Sequence, residues 1–218
     1  MKPASNTIKW GNYIFLALAV LLFALSFFFN TLYSSRTSVA REAALAEKFI
    51  QSQQKDFSVF LGNAALVERL AHKKESYQEL LQFTAKKYGI FLFETADFGE
   101  IRMLRWSDQL ITPPKEMFTA ADGEYFTKLS NGWYYIIKRT INGAGADLAF
   151  AMIPVWSEFF IETDYLPQQF IFSEDAVRRV RLSESATDFP VRTLTGKTLF
   201  YLDKKTVSAV PFNDQFTI

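Results

Sequence analysis

Between Tyr13 and Phe29 (YIFLALAVLLFALSFFF) there is no charged residue, and Ser26 is the one notably polar side chain inside the run. Continued through Asn30-Thr31-Leu32-Tyr33, the run would measure about 31 Å as a helix, the thickness of a bilayer's hydrocarbon core. A buried core helix of this length would show polar residues on part of its surface. A cleaved signal peptide needs a small-x-small site soon after a shorter apolar core, and Ser38-Val39-Ala40 comes too late for that. The pattern predicts an uncleaved membrane anchor over 13–33, preceded by a cytoplasmic tail, 1–12. Lys2, Lys9 and the free amine precede the anchor, while Arg36, Arg41 and Lys48 follow it, so charge alone orients it weakly. The short tail and long downstream segment favour a cytoplasmic N-terminus.

Beyond the anchor, Val39, Ala43, Ala46, Ile50, Phe57, Phe60 and Ala64 recur in alternating steps of four and three that Gln53 interrupts. They place one apolar stripe along a helix continuing out of the membrane. The stripe suits a dimer seam, or the face by which the helix packs on its own domain. A second amphipathic helix is predicted from Tyr77, Leu80, Leu81, Thr84, Ala85 and Tyr88, with Lys86-Lys87 in its last turn and Gly89 as its stop. From Ile90 the period changes to that of strands: 90–94, 101–106, 124–129, 133–140 and 148–155. Turns are signalled at Asp97-Phe98-Gly99-Glu100, Asp122-Gly123, Asn131-Gly132 and Asn142-Gly143, and Pro113-Pro114 starts an irregular or short helical connection.

These elements describe an α+β chain in which helices pack on one face of an antiparallel sheet. The organisation expected is a helical stalk and sheet domain over 34–156 and an acidic linker over 157–176. A small β unit follows over 177–218, with strands at 177–182 and 189–202 about a Thr195-Gly196-Lys197 turn. No internal repeat or low-complexity stretch is visible.

Composition narrows the chemistry. The chain has 218 residues, 24 basic and 23 acidic side chains, no cysteine and one histidine. That balance gives no concentrated basic surface for nucleic acid. Without cysteine there is neither a disulfide framework nor thiol catalysis. His72, in the polar, basic Leu70-Ala71-His72-Lys73-Lys74, reads as a solvated surface residue, which leaves no histidine for a Ser-His-Asp device or a zinc site. Asn142-Gly143-Ala144-Gly145-Ala146-Asp147 lacks the lysine and following helix of a phosphate loop. Glu94, Asp97 and Glu100 lack the alternating ligands of a calcium loop. No cofactor, metal or enzymatic activity is expected on this chain.

Asn131-Gly132-Trp133-Tyr134-Tyr135, Ala151-Met152-Ile153-Pro154-Val155, Asp164-Tyr165-Leu166-Pro167 and Val191-Arg192-Thr193-Leu194-Thr195-Gly196-Lys197-Thr198-Leu199-Phe200 occur in this order. Together they resemble the N-terminal sensory region of bacterial membrane histidine kinases, best represented in Bacteroidetes. The hairpin-rich sheet with long N-terminal helices likewise resembles the PAS-like extracytoplasmic modules called Cache domains. The resemblance covers most of residues 34–205. It implies a periplasmic domain anchored in the inner membrane, the signal-sensing input of a two-component system, taking an unidentified small-molecule or protein signal and dimerising through its stalk helix. It also implies a second span and a kinase core. Neither occurs before Phe216-Thr217-Ile218, so a fragment ending just before the second span is expected.

The candidate ligand residues lie on two strands. With strict alternation, Ile101, Met103 and Arg105 share one face and Arg102, Leu104 and Trp106 the other. Arg105 at the end of an apolar face would hold a carboxylate or phosphate, and Trp133 and Tyr135, sharing a face, would form an aromatic wall; Trp106 is the fourth candidate. Against this, strand arginines commonly snorkel to water, and Trp and Tyr are ordinary sheet-core residues. The alternative function is an anchored interaction or envelope-assembly module whose β edges in 189–201 dock a partner by strand addition.

Overall fold

The computed structural model describes residues 7–96, 100–141, 144–159 and 167–205, without the side chains of 7–12 and 29–37. The predicted turns at 97–99 and 142–143, the Asp164-Tyr165-Leu166 motif, part of the 157–176 linker and the chain after Lys205 lie outside the described residues.

Helix α1, Thr7–Gly62, would be about 84 Å long at the α-helical rise. Its first part is solvent-facing: from Tyr13 to Leu25 the large apolar side chains are exposed, Phe15 and Phe23 by 73% and 76%. Among the described residues no helix is long and apolar enough to cross a membrane. The described side chains of the apolar run stop at Phe28, about 22 Å from Tyr13, and the remainder of the predicted span rests on the sequence.

The second part of α1 is clamped on its own domain. Val39, Ala43, Ala46, Ile50, Phe57 and Phe60 are buried in the chain's main core, so the apolar stripe is an intramolecular packing face. At the point where Gln53 was expected to interrupt the stripe, it is Gln54, 5% exposed, that turns inward. The stripe stops short of Ala64, which is exposed, because the chain breaks after Gly62 and Asn63 caps α2, Ala64–Ala71, by accepting the Leu66 N–H. His72 follows α2 and is exposed, as its surroundings in the sequence indicated. Helix α3, Tyr77–Thr84, starts with a Ser76/Glu79 capping box and ends before Tyr88. Lys86 and Tyr88 instead reach back to Asp56 of α1 at 2.6 and 2.7 Å.

The main sheet contains β1 Gly89–Thr95, β2 Ile101–Trp106, β3 Gly123–Leu129, β4 Gly132–Thr140 and β5 Leu148–Ser157, in the antiparallel order β2-β1-β5-β4-β3. The short β6, Gln169–Phe170, adds to the end of β5. Opposed residues in such a ladder share a face. One face carries Leu92, Tyr135, Ile137, Ala151 and Ile153, covered by the helices; the other carries Phe91, Phe93, Ile136, Phe150 and Met152. Ile111, Met117 and Phe118, from the Pro113-Pro114 connection and α4, Glu116–Thr119, close this second face. Buried Lys138 ties that connection down by donating to the Phe118 and Ala120 carbonyls.

In the C-terminal part, α5, Ala176–Arg179, occupies the start of the predicted 177–182 strand, and β7 is only Val180–Ser183. With β8, Pro190–Arg192, and β9, Thr198–Lys204, it forms a second antiparallel sheet, β7-β9-β8. Gly196, at φ +82, makes the β8–β9 turn in a region other residues rarely adopt. Val191, Phe200 and Leu202 of the small sheet join the same core as α1 and the helix-covered face of the main sheet. The chain is thus α+β, an antiparallel sheet layered with helices.

Candidate functional site

The four sequence-predicted residues do not converge. Pairing of Leu92 with Arg105 and of Phe93 with Met103 leaves Leu104 as an extra residue in a β-bulge. Arg105 is consequently on the helix-covered face and Met103 on the opposite one, against the strict alternation expected. There Arg105 forms an ion pair with Glu75, whose side chain is 5% exposed, in the α2–α3 connection. Its charge is satisfied within the chain. Trp106, opposite Phe91, is 43% exposed on the other face. The register runs from Arg105 through Leu92 and Ala149 to Arg139 of β4. Trp133 is six residues along β4 from Arg139, which puts it about 14 Å across the sheet and about 20 Å along it from Arg105. Trp133 and Tyr135 do share a face, but Tyr135 is fully buried in the core, beside Glu124.

What Tyr135 borders is a polar clamp on α1. Gln54 Nε2 donates to Glu124 Oε1 of β3 at 2.8 Å, and Gln54 Oε1 accepts the Leu194 backbone N–H at 2.9 Å. One turn earlier, Gln51 Nε2 donates to the Arg192 carbonyl at 3.3 Å, and before that Glu47 accepts the Arg192 N–H at 2.9 Å. Residues 47, 51 and 54 lie on one side of the helix, so three successive side chains grip the backbone of 192–194. Nearer the N-terminus of α1, buried Glu42 accepts from Arg179 of α5 at 3.0 Å. The Tyr135 hydroxyl lies beside Glu124 without completing a hydrogen bond. Burial first, and then the Glu124 charge, push its pKa up.

The small sheet held by this clamp forms one wall of a cleft whose other wall is the main sheet. Trp133 and Trp156, paired across β4 and β5, face Val177, Val180 and Leu182, with Arg181, Lys205 and Gln168 at the rim. Its volume is about 290 Å³. Gly132 brings the two tryptophans into register: at φ +143, a Cβ there would lie 1.9 Å from the Trp156 carbonyl oxygen. The aromatic walls are themselves supported, Trp133 stacking on Phe126 and Trp156 lying edge-on to Phe170.

Trp133 was legible from the sequence, whereas Trp156, Gln54 and Glu124 were not identified. A signal for Gln54 existed, since a glutamine recurring within an apolar stripe has to find partners when buried. Among the described residues no group of His, Asp and Glu could hold a metal ion. The cleft presents aromatic faces, an amide and two cations, groups suited to binding and orienting a ligand. No family model, curated protein or solved structure matches the chain.

Proposed function

We propose that this chain is the signal-sensing input module of a membrane-bound two-component sensor kinase. It would be anchored in the bacterial inner membrane by residues 13–33, with its PAS/Cache-like domain in the periplasm. The observation that carries the reading is continuity: one helix includes both the apolar run and the clamp, and the clamp's partners belong to the sheet that walls the Trp133/Trp156 cleft. The β2-β1-β5-β4-β3 order with helices across one face supports the PAS/Cache-like assignment.

A ligand acts through this arrangement only if it binds two placements of the small sheet unequally. A tenfold preference is worth about 1.4 kcal/mol, comparable to one hydrogen bond of the clamp. Occupation of the cleft would shift 192–194 relative to the main sheet, and α1 would follow because Glu47, Gln51 and Gln54 hold that segment. The docking alternative has less to use at 189–201, since both the N–H and carbonyl of Arg192 already bond to α1.

Sequencing the locus beyond Ile218 tests the assignment. A second span followed by a dimerisation and ATP-binding core is expected; a stop codon directly after Ile218 overturns the kinase-input reading. For orientation, Leu45→Cys should react with a membrane-impermeant maleimide in spheroplasts, and reaction only after lysis would reverse the topology.

A further inference from the structure

We infer that the Trp133/Trp156 cleft selects a compact aromatic ring carrying an anionic group, an aryl carboxylate in chemical class. This deepens the sensing proposal and rests on its cleft. The volume of about 290 Å³ lies at the lower edge of the roughly 300–1,000 Å³ typical of small-molecule sites. Two indole side chains from the main sheet face Val177 of α5 and Val180 and Leu182 of the small sheet, a slot suited to a flat apolar body.

The charges around the slot decide the sign of the ligand. Among the described residues no acidic side chain lines it. Arg181 is held by both Nε and Nη2 on Asp203 Oδ2, at 3.2 and 2.7 Å, so its charge is balanced from behind. The Lys205 ammonium has the Val177 carbonyl at 3.1 Å and no carboxylate partner among the described residues. Among the described residues it therefore supplies a positive charge without a carboxylate partner, with spare N–H donors at the rim. Tryptophan faces on their own would welcome a cation. An ammonium at the same rim repels one, so the site discriminates towards an anion.

The test is calorimetric titration of the full chain in detergent micelles with three indoles that differ in charge: indole-3-acetate, indole and tryptamine. Indole-3-acetate should bind at least about tenfold more tightly than tryptamine, the factor expected of one charge-assisted hydrogen bond. Lys205→Gln should remove that advantage, and Lys205→Glu should reverse the order in favour of tryptamine. Lys205 is exposed and outside the core, so both variants keep the fold. Equal binding of all three probes overturns the anionic class while leaving the cleft a ligand site, and an anion preference that survives Lys205→Glu overturns Lys205 as the group that selects the anion. If none of the three binds, the aromatic class itself is overturned; the sensing proposal is then judged separately by the locus and topology.

Discussion

Gln54→Met isolates the clamp from the packing around it, because methionine fills a similar volume with a flexible apolar chain. The glutamine is 5% exposed, and its side chain makes one hydrogen bond to a carboxylate and one to a backbone N–H. Hydrogen bonds to charged groups contribute about 1.5–3 kcal/mol and neutral ones about 1, so the variant should lose about 3 kcal/mol. Among the described residues Glu124 Oε1 would keep Arg139, at 3.4 Å. Urea unfolding of the full chain in micelles, followed by tryptophan fluorescence, reads this loss. With a slope of about 2 kcal/mol per molar urea, the midpoint should fall by about 1.5 M. Glu124→Gln removes the charge from the same bond, so combining the two substitutions should cost less than their sum by about 1 kcal/mol. A midpoint within about 0.3 M of wild type, a loss under about 0.6 kcal/mol at that slope, or strict additivity would refute the view that Gln54 couples α1 to both sheets.

Arg105→Ala should act on stability rather than on ligand binding, since it strands the nearly buried Glu75 carboxylate; a loss of about 3–5 kcal/mol in the same urea assay is expected. An unchanged midpoint would return Arg105 to the list of ligand residues. A cysteine replacing buried Ala46 should resist a hydrophilic maleimide in the folded protein, whereas one replacing Leu45, 40% exposed, should react; rapid labelling or a disulfide dimer at residue 46 would make the stripe an intermolecular seam. Acid should expose two further contacts. Arg69, and then the Ser76 backbone N–H, hold Glu79 down from 4.5 to about 2. At Asp56 burial opposes ionisation, but hydrogen bonds from Lys86 and Tyr88 outweigh it and lower the pKa. Both groups therefore stabilise the fold fully above the unfolded carboxylate values of about 4, and that contribution fades as pH falls towards 2. Between pH 5 and 2.5 the Tm of Glu79→Gln should decline less steeply than that of wild type, and parallel curves would contradict the assignment.

The elements most legible in the sequence were those with a local signature. The five strands of the main sheet fall within two residues of their expected ends, because alternation and the Asn131-Gly132 and Asp122-Gly123 turns act over a few residues. The 177–182 strand failed at its beginning, where α5 supplies a single helical turn too short to show a period. Gln54 was missed by one position because its partners are distant in sequence. It is Gln54 that faces inward because it finds partners there, Glu124 and the Leu194 N–H, which lie 70 and 140 residues away and which helical spacing cannot reveal. Arg105 was put on the wrong face because one bulged residue, Leu104, inverts the alternation after it.

The candidate site divides along the same line. A charge-free run of membrane length, an apolar helical stripe and an aromatic strand at Trp133 are properties of neighbouring residues, and period and composition are enough to reveal them. The meeting of Trp133 with Trp156, of Gln54 with Glu124 and Leu194, and of Arg105 with Glu75 joins residues 23 to 140 positions apart. Such meetings depend on register, bulges and the packing of one sheet on another. Tertiary structure alone therefore turned one apolar face into an intramolecular clamp, silenced an apparent ligand arginine, and opened a cleft between two sheets.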